Sequence, residues 1–108
     1  MYWQLIASVV AVVVGVFYIA KFWNNIRETV ANWLRLAGWE RSMLMDAWIQ
    51  LDSTFSGIRC KFFLKQAESQ ELRVFEETYS INEIDDIDVL AELEKRGYVE
   101  RNIMTYLQ

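Results

Sequence analysis

Residues 43–54, Met-Leu-Met-Asp-Ala-Trp-Ile-Gln-Leu-Asp-Ser-Thr, lie at the centre of a 108-residue chain. Met43, Leu44, Ala47, Trp48 and Leu51 recur here at steps that put them on one helical face, and Asp52-Ser53-Thr54 is a polar break. This spacing predicts a helix ending at the break. With Asp46 inside it and so short a length, the segment is no membrane span.

On its N-terminal side, Trp23, Ile26, Val30, Trp33 and Ala37 recur at alternating steps of three and four. Asn24, Arg27, Glu28, Asn32 and Arg35 fall between them. The pattern predicts an amphipathic helix, with Gly38 as its stop. Further back, Leu5 to Ala20 holds no charge and no proline, and Tyr2, Trp3, Phe22 and Trp23 flank it. At about 1.5 Å per residue, roughly 20 residues cover a hydrocarbon core about 30 Å thick. This predicts a transmembrane helix over residues 1–22. A start without a basic side chain favours an uncleaved anchor over a secretory signal. Val12, Gly15, Ile19 and Trp23 keep the register of the following helix, so one continuous helix is expected to reach Gly38. Lys21, Arg27 and Arg35 follow the span and nothing basic precedes it, which places the N-terminus outside and residues 23–108, a small α+β domain, in the cytoplasm. The single Cys60 agrees with a reducing compartment.

On the C-terminal side the period changes to two. Ile58, Cys60, Phe62 and Leu64 alternate with Arg59, Lys61, Phe63 and Lys65, and a second β-rich run covers Leu72 to Tyr79. An antiparallel hairpin is the simplest pairing, with its basic residues facing Glu76 or Glu77. Two strands are marginal alone, so the hairpin should lie on a helix. Ser80-Ile81-Asn82-Glu83 has capping-box spacing and predicts a helix with Ile84, Ile87, Leu90, Ala91 and either Leu93 or Glu94 on its core face. Lys95 and Arg96 complement its carboxyl end and Gly97 stops it. A last short helix, with Ile103, Tyr106 and Leu107 apolar, is expected after Tyr98-Val99. The arrangement Leu90, Leu93, Arg96-Gly97, Tyr98-Val99 and Ile103 resembles the short C-terminal helical hairpin called SHOCT, over about 25 residues. The resemblance implies an oligomerisation or docking piece rather than chemistry. The expected architecture is thus α+β: a transmembrane helix running into an amphipathic helix, then a helix, a β-hairpin and a C-terminal helical hairpin.

Little here suggests catalysis. The chain has no histidine, which excludes a Ser/Cys–His arrangement and histidine-based zinc sites. Glu83, Asp85, Asp86 and Asp88 form an acidic cluster, but the calcium-loop signature fails at its third ligand and its glycine. Acids in the first turn of a helix are the simpler reading. Cys60, on the apolar side of a strand, reads as a core thiol. No glycine-rich phosphate loop is present. No enzyme activity, metal or cofactor is expected.

Charge divides along the chain: residues 21–65 carry net +3 and residues 66–108 net −7, within an overall −4. The acidic half suits a basic protein partner or solubility, and no concentrated basic face invites nucleic acid. Ala7, Ala11 and Gly15 form a small-residue stripe open to close helix approach, and Ile26, Val30 and Trp33 would extend that seam into water. The competing reading turns Ile26, Val30 and Trp33 toward the chain's own hairpin. These features lead to a single-pass, membrane-anchored adaptor, accessory or regulatory subunit. It would bind a membrane protein complex, or copies of itself, at the lipid bilayer. The alternative is a membrane-permeabilising toxin or defence effector with a sensing domain.

Overall fold

The central run is a strand. In the computed structural model, which describes residues 20–107, Leu44–Thr54 forms β1, with Ala47, Ile49 and Leu51 buried on one side. Ile49 decides the matter: a helix would point it away from Ala47 and Leu51, whereas a period of two aligns all three. A register shift between Leu44 and Asp46 lets Leu44 also reach the core, while Met43 and Met45 stay exposed. The expected helix over this segment is therefore corrected to a strand.

β1 pairs antiparallel with β2 (Gly57–Gln66), and β2 with β3 (Leu72–Tyr79), the latter being the expected hairpin. The chain then makes a 3-10 turn (Ile81–Glu83) and helix α2 (Ile87–Arg96), and returns as β4 (Tyr98–Asn102) on the free edge of β1. The sheet order is β3-β2-β1-β4. Asp86, rather than Ser80, caps α2, accepting from the backbone N–H groups of Asp88 and Val89 at 3.0 and 3.2 Å. Val89 and Leu93 face the core while Ile87 is 80% exposed, so the helix starts later and is rotated from its expected face. Gly97, at φ 71°, ends it as expected.

The expected C-terminal helical hairpin is overturned. Val99 pairs with Leu51 and Arg101 with Ile49 in the sheet, because the edge of a buried central strand needs hydrogen-bond partners and five residues after Gly97 supply them. Among the described residues only a 3-10 turn (Met104–Tyr106) follows, so the arrangement that resembles SHOCT does not form a helical hairpin.

Helix α1 (Lys21–Ala37) lies across one face of the sheet and ends at Gly38 in the left-handed conformation. Phe22, Trp23, Ile26, Val30 and Leu34 join Ile49, Leu51, Cys60, Phe62 and Leu64 in a single core. Phe22 meets Tyr79 edge-on at 5.6 Å, and Trp33 stacks on Phe75 at 5.4 Å, which fixes the helix along β3.

The membrane architecture is corrected as well. Among the described residues no helix is long and apolar enough to cross a membrane. The expected span over residues 1–22 lies outside the described residues except for its last three. Those three belong to the globule: Ala20 is non-helical at φ −51°, ψ 139°, and α1 starts only at Lys21. Phe22 is fully buried. Asp85 caps this start, accepting from the N–H groups of Lys21 and Phe22 at 2.9 and 3.0 Å. The continuous helix to Gly38, the single-pass anchoring and the localisation built on them give way, among the described residues, to a small α+β fold whose core takes in Phe22, with Ala20 packed against it.

Candidate protein-binding face

An antiparallel sheet with a helix on one side leaves its other side to water, and that side is normally polar. Among the described residues nothing covers that side here, and it carries a central apolar row. Alternation along β1 and β2 sends Trp48 and Phe63 outward as directly paired neighbours. Their rings stack with centroids 5.0 Å apart and planes within 1°. Val74, the partner of Phe63 on β3, continues the row at 51% exposure, with Leu72 beside it at 46%. Together with Asp46, Gln50, Glu100 and Asn102, Trp48, Phe63 and Leu72 line an open groove of about 580 Å³.

Charged rows flank the apolar one. β2 turns Arg59, Lys61 and Lys65 outward, and their β1 partners are Asp52, Gln50 and Asp46. Arg59 sits 3.8 Å from Asp52 and 4.0 Å from Glu76, at the limit of ion pairing. Gln50 donates to Glu100 at 2.9 Å, and Asn102 to Asp46 at 2.7 Å. The face is thus basic along β2, acidic along β1 and β4, and aromatic where the two meet.

The residues singled out from the sequence fall elsewhere. Ala7, Ala11 and Gly15 lie outside the described residues. Ile26 and Val30 are fully buried inside the chain's own core. Trp33 is half-buried, stacked on Phe75 and edge-on to Trp39 at 5.4 Å. The acidic cluster is divided between tasks: Asp85 caps α1, Asp86 caps α2 and also accepts from the Trp23 indole at 2.7 Å, and Asp88 lies in the first turn of α2. Among the described residues no group of His, Cys, Asp or Glu side chains could hold a metal ion. Cys60 is fully buried, and burial pushes its thiol far above the ordinary range, with Glu77 adding to the effect. Such a thiol is inert.

A second cleft, about 570 Å³, runs beside α1, where Arg27, Arg35 and Arg41 surround Val30, Leu34 and Trp39. Among the described residues none of these arginines is in an ion pair, although Arg35 donates to Asn32 and Arg41 to the Leu107 carbonyl. The cleft attracts anions, but its apolar floor is almost wholly buried and offers a ligand little surface.

Sequence reasoning missed the open face for one reason. With β1 read as a helix, Trp48 belonged to a core-facing stripe and Phe63 had no aromatic neighbour. The available signal was Phe63 itself, an aromatic side chain on the otherwise basic side of a strand. The chain stands apart in sequence and fold comparisons: no family model, no curated protein and no solved structure matches it.

Proposed function

We propose that this chain is a protein-binding module, an accessory or regulatory subunit, and that its working surface is the uncovered face of the sheet. The observation that supports this reading is the Trp48–Phe63 stack, continued by Val74 and Leu72 outside the core. The α1 side already buries Phe22, Phe62 and their neighbours, so the outer aromatics contribute little to the interior. Aromatic side chains ringed by charge are the usual composition of a binding hot spot. A protein covering the face would remove the exposed apolar area from water at about 25 cal/mol per Å².

Photo-crosslinking in cells tests this directly. A benzophenone amino acid at position 63 of the full chain should give a discrete protein adduct, and the same group at position 87, on the exposed side of α2, should not. No adduct at position 63, or equal adducts at both positions, would refute the reading.

A further inference from the structure

We infer that the occupant of this face is a second copy of the chain, stacked sheet on sheet about a two-fold axis that runs parallel to the strands between β1 and β2. The inference rests on the reading of the face as a protein-binding surface, and the cross-strand register supplies the rest.

When the strands of two face-to-face sheets are aligned, the two-fold axis relating the copies runs either along the strands or across them. An axis across the strands lays β2 over β2 of the other copy. Centred on the aromatic row, so that Phe63 lies over Phe63 and Trp48 over Trp48 of the other copy, it opposes Lys61 to Lys65 twice and leaves Asp46 over Gln50 rather than over a cation. Like charges facing each other across an interface are costly. An axis along the strands lays β2 over β1 instead. Since Lys65 is level with Asp46, Phe63 with Trp48 and Arg59 with Asp52 in the register of one sheet, each then lies over its opposite number in the other copy. Symmetry doubles every pair, giving four juxtapositions of opposite charge around a cluster of four aromatic rings. At the rim, Glu76 faces Glu100 of the other copy, and both stay solvated there. Packed sheets lie about 10 Å apart and cross at about 30°, which keeps the central pairs within reach of long side chains.

The area sets the strength. Four strands about 4.8 Å apart and seven residues at about 3.3 Å each give a face of roughly 440 Å², against about 800 Å² per partner in a standard interface. The dimer is therefore reversible and concentration-dependent.

Arg59 and Lys65 mark the two ends of the face. Arg59→Cys and Lys65→Cys are made separately in the full chain and treated with a short bismaleimide matched to the roughly 10 Å between packed sheets. Cys60, fully buried, does not compete. Parallel stacking brings like ends together, so each variant should crosslink to itself, with a yield that rises with concentration. A mixture of the two should add little 59-to-65 product. A dominant 59-to-65 product would overturn the arrangement. So would the absence of any product from two variants whose thermal melts match the parent. An adduct at position 63 to some other protein, without self-crosslinking, would leave the binding face standing and eliminate the second copy as its occupant.

Discussion

Trp23 and Tyr106 stack with ring centroids 4.5 Å apart and planes within 2°, joining the first turn of α1 to the last 3-10 turn of the described chain. The same indole donates to Asp86 at 2.7 Å, so one tryptophan ties α1, the start of α2 and the segment after β4 into a single corner.

That corner gives a prediction for Asp86. Its carboxylate accepts from two backbone groups of α2 and from the Trp23 indole. Losing the cap costs about 1 kcal/mol, and an indole N–H left unpaired costs about 1–2 more. Asp86→Ala should lower the unfolding free energy by about 2–3 kcal/mol in urea titration. The cap uses Oδ1 and the indole Oδ2, so Asp86→Asn can keep the cap but sets an N–H against the Trp23 indole, and it should recover only the cap's share, about 1 kcal/mol. Equal losses would mean that the cap contributes nothing.

The glycines rank in a way the sequence does not show. Gly97 marks a helix end, whereas Gly57 looks like a looser turn that an alanine would tolerate better. The structure reverses this order. A Cβ at Gly97 meets nothing within 4 Å, so Gly97→Ala carries only left-handed strain, about 1 kcal/mol. At Gly57 a Cβ would stand 2.9 Å from the Tyr79 carbonyl oxygen, at φ 147°, and would push β2 from β3. Gly57→Ala should cost about 2–3 kcal/mol, measured by thermal melts of both variants.

Tyr79 carries a pH prediction. Among the described residues its hydroxyl is buried with no hydrogen bond of good geometry, and burial, outweighing the lowering effect of the nearby Thr29 hydroxyl, pushes its pKa up to about 12. A phenol harder to ionise when folded supports the native state below pH 10, and that support is lost as pH rises from 10 toward 12. Relative to Tyr79→Phe, the parent should lose on the order of 1–2 kcal/mol across this window. Near neutrality the variant should match or slightly exceed the parent, since no bond is removed. Parallel stability curves through pH 12 would contradict the assignment.

Legibility followed the uniqueness of each pattern. Helix α1, its glycine stop and the β2–β3 hairpin were readable because their apolar residues fit one period only. β1 was not, since Ala47 and Leu51 serve a helical face and an alternating one equally, and Ile49 breaks the tie only once a sheet is present. β4 was hidden for a related reason: a five-residue strand has no pattern of its own and exists because β1 needs an edge partner. The acidic residues carried no signal of which helix each would cap, as Asp85 acts on a helix 64 residues earlier in the chain. The binding face depended on β1, so it disappeared with the misread strand.

Hydroxyl-radical footprinting of the full chain across a concentration series reads whether the Trp48–Phe63 face is covered. Phe55, fully exposed in the β1–β2 turn and away from the apolar row, serves as the internal reference. If the uncovered face is the working surface and a second copy covers it, oxidation of Trp48 and Phe63 relative to Phe55 should fall severalfold as the concentration rises, and should recover on dilution. Oxidation of Trp48 and Phe63 in constant proportion to Phe55 at every concentration would contradict the account.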